Sequence, residues 1–319
     1  MLFAFLLLLA CGGTPAKKMP LIFYPEPPSP QRIQYLTSIS RDTDVMAKQA
    51  GFSAFLVGER KSHSINKPYG VAFHKEGSLL VCDIRKGFVW VFDLKGKKVS
   101  MLGTEAPGRL AQPMNIAVDE DGTRYVADTK LRRIMVYDKD NTYVTAFGQP
   151  DEWRPVDVVL DEDELYVLDF DNFQIAVLNK KNGDVLRRLG TTKKSKERLF
   201  QPSNLAMDAD KNIYVGDTGN FRVVKLNSEG EFLAQYGKVG RNAGEFIRPK
   251  GVAVDEKGRL YVVDTAFQNV QIFDKDQRIL LAFGSSGLKH GDMYMPAKVV
   301  ISYEAVSQFA SYVAPGREI

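Results

Sequence analysis

The chain is poor in the residues that most often announce chemistry: its 319 residues hold two cysteines, three histidines and two tryptophans. Cys11 and Cys82 cannot build a disulfide framework. Cys82 sits in an apolar strand pattern and reads as a buried, inert thiol. His63, His74 and His290 share no regular spacing, so no converging metal centre is expected. A Cys-x-x-Cys-His haem site, a P-loop, a Gly-x-Ser-x-Gly elbow and a dinucleotide fingerprint are all missing. Charge of one sign is scarce as well: 43 Lys and Arg against 39 Asp and Glu leave a net +4, which gives no mandate for nucleic acid. From these absences we expect no catalytic set, no bound metal and no cofactor.

Long hydrophobic runs are scarce too, and the one at the start is informative. Leu2 to Ala10 is apolar but too short to span a bilayer as a helix. It reads as the core of an export signal, ending in Leu8-Leu9-Ala10-Cys11 before Gly12-Gly13. These residues resemble the bacterial lipobox, although no Lys or Arg precedes the run. The resemblance implies acylation of Cys11, with acyl chains contributing about 0.8 kcal/mol per buried CH₂. Residues 12–30, rich in proline from Pro15 to Pro30, then form an expected tether. The expected organisation is a signal segment at 1–11, that tether at 12–30, and one domain at 31–319 with an insertion at 41–65. Val45 to Leu56 within the insertion suits a short helix.

The dominant feature is an internal repeat. Pro68, Pro113, Pro155, Pro202, Pro249 and Pro296 recur at intervals of 42 to 47 residues. An apolar run after each of the first five ends in an aspartate: Asp83, Asp128, Asp169, Asp217 and Asp264. Ten residues on stands Asp93, Asp138, Asn179, Asn227 or Asp274, and ten or eleven further a glycine. Each unit divides into four short strands, in the fourth unit Asn204 to Asp208, Ile213 to Asp217, Arg222 to Leu226 and Phe232 to Tyr236. Four strands every 40 to 50 residues mark a propeller blade, which must lean on neighbours to bury its faces. The expected fold is therefore an all-β, six-bladed propeller of four-stranded antiparallel blades. The sixth unit is broken: Val299-Val300-Ile301 is present, but Ser311 replaces the closing aspartate in Phe309 to Val313.

The lattice resembles the NHL family of propellers, most clearly over Pro202 to Leu226 and over about residues 66 to 302. Relatives of this kind close the ring with an N-terminal strand, and Arg32 to Ile39 looks like such an outer strand. The resemblance thus implies a last blade incomplete at the C-terminus and partly supplied from the N-terminus. A truncated reading frame is the favoured account of the shortfall, a partner-completed blade the other.

Propeller ligands usually sit on the axis. The second residue after each opening proline forms the ring Gly70, Asn115, Asp157, Asn204, Gly251 and Lys298. Asn115, Asp157, Asn204 and Lys298 are the candidate ligand or partner site. The first three offer oxygens suited to a calcium-like cation, yet Asn, Asp and Gly also simply satisfy a turn entering a strand. The repeat aspartates read as structural caps, accepting hydrogen bonds from backbone N–H or from Asn220, Arg222, Arg133 and Gln174. Arg85-Lys86, Arg132-Arg133, Lys95 to Lys98 and Lys193 to Arg198 read as solvated turns. The resemblance implies a binding scaffold rather than an enzyme. It also brings two rivals: RNA binding, as in some animal relatives, and a metal-dependent lyase or lactonase. With the lipobox it implies an exported, lipid-anchored envelope protein with a protein partner, a multihaem cytochrome among the candidates.

Overall fold

The computed structural model describes residues 21–47, 49, 60–148, 151–191, 194 and 197–317. Cys11 and the rest of the expected signal segment lie outside the described residues, as does most of the expected helix at 45–56. Where that helix would begin, Asp42–Asp44 form a single 3-10 turn.

The repeat folds as five four-stranded antiparallel sheets, each with its strands in sequence order. Blade 1 spans residues 68–102, blade 2 113–147, blade 3 155–189, blade 4 202–236 and blade 5 249–283. In blade 4 the strands are Pro202–Met207, Ile213–Asp217, Arg222–Leu226 and Phe232–Tyr236. The two middle strands of a blade are covered on both faces, which explains their continuous apolar runs: Tyr166 to Leu168 and Ile175 to Leu178 are all buried. The fourth strand is the solvent-facing edge, and Val185, Leu186 and Leu233 remain exposed there.

Four buried clusters lie between blades, and a fifth packs Leu79, Val81, Trp90 and Phe92 of blade 1 against Ile39, Val45 and Ile65 of the N-terminal segment. Leu80, Val89, Val126 and Tyr137 join blades 1 and 2, while Tyr125, Ile134, Leu165 and Val167 join blades 2 and 3. Tyr166, Val177, Val215 and Val224 join blades 3 and 4, and Tyr214, Val223, Val262 and Phe273 join blades 4 and 5. Burying one such side chain contributes about 1.5–3 kcal/mol, so a blade stripped of its neighbours would forfeit most of its stability.

A repeated plug sets the distance between blades. The loop leaving each of the first four outer strands folds back to insert Leu110, Trp153, Leu199 or Phe246, each under 5 % exposed, into the gap before the next blade. At Gly148 the backbone has φ +88 and a Cβ would lie 2.2–2.4 Å from the Trp153 indole. Only glycine accepts both that conformation and that contact.

The structure has five blades where six were expected. After Pro296, Val299 to Ile301 run beside the axis without a ladder partner, and the expected strand at 309–313 is instead the short helix Val306–Phe309 followed by the turn Ala310–Tyr312. This C-terminal segment nonetheless bridges the ends of the ring. The Thr265 hydroxyl of blade 5 donates to the Pro296 carbonyl at 2.8 Å. At the other end the Phe309 ring meets Phe73 of blade 1 edge-on, 6.4 Å between centroids.

The N-terminal strand also differs from expectation. Ile33–Tyr35 pairs with Ile22–Tyr24 in a separate two-stranded sheet, so part of the expected tether is itself a strand. With no ladder at the sixth position there is no edge for it to join. It still abuts the C-terminal segment, where the Gln34 amide donates to the Tyr312 carbonyl and accepts from the Ala314 N–H. No helix of the described residues is long and apolar enough to cross a membrane.

Candidate functional site

The first strand of each blade lines the axis, because antiparallel order from strand to strand places it innermost, with consecutive first strands in contact. The strands begin at their prolines on one face of the ring and run toward the other. The ring residues therefore lie one step below the proline-side mouth. Both ring glycines permit a close approach: a Cβ would fall 2.6 Å from the Asn115 Cα at Gly70 and 2.7 Å from the Lys298 Cα at Gly251.

Asp157 and Lys298, 141 residues apart, meet at the centre. The Lys298 ammonium donates to Asp157 Oδ2 at 2.6 Å, with both side chains under 10 % exposed. The Leu205 N–H donates to the same oxygen at 2.8 Å, and Oδ1 accepts the Val158 N–H. Asp157 thereby ties blade 3, blade 4 and the C-terminal segment together. A buried charge survives only when paired and hydrogen-bonded, and each requirement is met. The ammonium faces the only carboxylate of the ring, where a calcium-like ion would have to sit. Asn115 donates to the Val156 carbonyl at 2.9 Å. Its side-chain oxygen and both amide atoms of Asn204 are buried with no hydrogen-bond partner among the described residues. The structure thus brings the four predicted axial residues into one ring position but joins only Asp157 and Lys298 directly.

Beyond that plug the axis opens into a funnel of about 550 Å³. Its walls carry apolar side chains from segments such as Val71 to Phe73, Val158 to Leu160 and Val252 to Val254, and about half of the lining surface is polar, with Lys298 at its inner end and Glu256, Tyr303 and Glu304 toward the other face. On the proline side the axis carries Tyr69 and Lys250, the Lys250 ammonium lying 5.3 Å from the Tyr69 ring centroid. Burial, reinforced by Asp157, pushes the Tyr69 phenol well above its usual range. Burial does the same to the Cys82 thiol, in keeping with an inert side chain.

The repeat aspartates lie off the axis, all 0 % exposed. Each gathers N–H groups from the loop entering its own blade and, in most blades, from the turn that follows its strand. Asp83 accepts from Asn66, Lys67, Arg85 and Lys86, Asp128 from Ala111, Gln112, Lys130 and Leu131, and Asp264 from Ile247, Arg248, Ala266 and Phe267. Asp169 adds the side chains of Asn172 and Gln174. Asp217 accepts from the Phe200 N–H, Asn220 and the Arg222 guanidinium.

The histidines stay apart. His63 pairs with Asp42 at 3.0 Å, His290 packs against Tyr35, and the His74 Nε2 is buried without a partner among the described residues. Among the described residues no three His, Cys, Asp or Glu side chains cluster as a metal site would require. The plug residues Leu110, Trp153, Leu199 and Phe246 escaped the sequence reading, although each stands two or three residues before the next opening proline, a spacing that could have found them.

Geometry defines the molecule as a β-propeller of five four-stranded blades with a plugged axis. No protein-family model matches the chain, and no curated protein matches it either. Solved structures do. Virginiamycin B lyase from Staphylococcus aureus aligns with a TM-score of 0.55 at 14 % identity, covering 73 % of each chain. A chain of the nidogen–laminin complex aligns at 0.57 and 21 % identity, over 75 % of this chain and 88 % of that one. A Bacteroides thetaiotaomicron protein of unknown function aligns at 0.59 and 20 %, over 74 % and 64 %. These likenesses establish the propeller fold and nothing finer, since one fold hosts many functions.

Proposed function

We propose that this chain is an NHL-type binding scaffold of the bacterial cell envelope, tethered through an acylated Cys11, rather than an enzyme. The observation that carries the reading is the axial funnel: a cavity of about 550 Å³ whose lining mixes apolar side chains with polar groups in about equal measure. A concave site that sets convergent polar groups among apolar side chains is what recognition of a ligand or a partner's side chains needs. The rigid ring of blades supports the same role by presenting two broad faces at no ordering cost. A lyase reading draws only on the fold shared with virginiamycin B lyase, and the Lys298 ammonium at Asp157 leaves that carboxylate unsuited to a catalytic cation.

The partner in this reading is an envelope protein, with a multihaem cytochrome as the candidate class. Two measurements test it. Tagged protein extracted from membranes is expected to carry a fatty acyl label that Cys11→Ala abolishes. The same preparation is expected to copurify a partner, haem-staining if the cytochrome assignment holds, whose capture Phe73→Asp at the funnel wall weakens. A label that survives Cys11→Ala rules out the anchor, and partner capture indifferent to Phe73→Asp rules out the funnel as the contact.

A further inference from the structure

The two faces of the ring carry opposite charge. On the face away from the opening prolines, the turns between first and second strands include Asp119 to Asp121 and Asp161 to Glu164, and Glu256 and Glu304 stand at the funnel. On the proline face the turns carry Arg85, Lys86, Lys130 and Arg132, with Asp171 held between Arg132 and Arg154. At the axial mouth of that face, three cations converge across the gap between blades 5 and 1. Lys67 precedes the opening proline of blade 1, Arg248 precedes that of blade 5, and Lys250 follows it. Lys250 reaches over the Tyr69 ring, 5.3 Å from its centroid, and so spans the gap.

Among the described residues, none of the three has a carboxylate partner. From Lys67 and Arg248 the buried carboxylates of Asp83 and Asp264 accept only the backbone N–H groups, and Asp157 is already neutralised by Lys298 at 2.6 Å. We propose that this mouth is an oxyanion site, in which Lys67, Arg248 and Lys250, the last braced over the Tyr69 ring, hold a carboxylate or phosphate group. The site is independent of the funnel, which lies beyond the Asp157–Lys298 plug and opens to the acidic face. Burial, with Arg248 and Lys67 close by, holds the Lys250 ammonium below its usual range; a bound oxyanion relieves that repulsion. The field of the basic face steers anions toward the mouth while the opposite face repels them. Guanidinium and ammonium donors to an anion make the strong, charge-assisted class of hydrogen bond.

The test is titration of the purified chain with inorganic phosphate, and separately with citrate, at ionic strength held constant with chloride, followed by calorimetry and by melting temperature. A short oligo-aspartate peptide forms a third arm, separating a carboxylate borne on a partner chain from a free small anion. Saturable binding of at least one probe is expected, weakened about tenfold or more in Lys250→Gln, a loss of the size one charge-assisted bond commands. Lys250→Arg should retain binding, and Lys275→Gln on the other face should leave it unchanged. Both controls separate a lost contact from a damaged fold. Response to chloride equal to that for phosphate, citrate and peptide, or binding undiminished in Lys250→Gln, overturns the site.

Discussion

At the residue scale, the repeat aspartates do more than cap a strand. Each draws together the loop entering its blade and the turn leaving its second strand, with the carboxylate fully buried. In blade 4 this places the Arg222 guanidinium 2.9 Å from Asp217 in a nearly dry setting. Removing one partner of such a pair strands the other, so Asp217→Asn is expected to cost about 3–5 kcal/mol of stability in urea unfolding. A change under about 1 kcal/mol would show that the aspartate is dispensable. The carboxylates also set the acid limit. Burial alone would raise Asp83, Asp208 and Asp255, but hydrogen bonds from Asn66, Lys86 and Lys67, from Asn212, and from Arg259 outweigh it and hold all three below the usual range. Their contribution is present above the unfolded value of about 3.9 and is lost as pH falls through the lower folded values. Asp217 has the opposite sign, because burial is its largest influence and keeps its carboxyl high despite Phe200, Asn220 and Arg222. Urea midpoints are therefore expected to hold between pH 7 and 5 and to fall below about pH 4. Asp83→Asn should flatten part of that fall; an unchanged slope would contradict the assignment.

At the scale of the element, the blades were legible because their signals are local. Proline at the first strand, aspartate at the end of the second and a run of β-branched and aromatic residues between them are each fixed by backbone geometry inside one unit. The fourth blade follows its sequence reading strand for strand, except that the first strand runs Pro202–Met207 instead of Asn204 to Asp208. The plugs recur two or three residues before each opening proline, but the spacing alone did not show that they fill the gap between two sheets. Trp153 illustrates this, sitting 3 % exposed among Ala127, Phe147 and Val158 of two blades. Trp153→Ala is expected to destabilise by about 3–5 kcal/mol, the range for emptying a large core site. Gly148→Ala should be costly as well, since the methyl meets the indole in a backbone conformation that disfavours alanine. If both variants unfold at the wild-type urea midpoint, the loops are ornaments and not spacers.

At the scale of the whole molecule, the opening prolines predicted one blade too many. Pro296 begins a unit whose inner segment, Val299 to Ile301, keeps its place beside the axis, but a strand needs a ladder and the following residues supply none. Phe309 is spent on Phe73 of blade 1, and the N-terminal strand that was to complete the unit finds its partner in Ile22–Tyr24. The ring is held shut instead by contacts that no single repeat could foretell. Lys298 was visible as a ring position, yet nothing in the spacing showed that its ammonium would cross to Asp157 and fill the place of a cation. The opposite charges of the two faces were hidden for a similar reason. Alternate turns point to alternate faces, so a chain of net +4 conceals two surfaces of contrary sign.

That the chain closes around an axis is tested most directly by a double-mutant cycle on Asp157 and Lys298, which lie 141 residues apart. Urea unfolding of Asp157→Asn, Lys298→Met and the double variant gives their coupling free energy. A closed ring predicts coupling of at least about 1 kcal/mol, with the double variant recovering part of what either single change loses. Effects that add within about 0.5 kcal/mol, as for residues with no shared contact, would contradict the closure of the propeller.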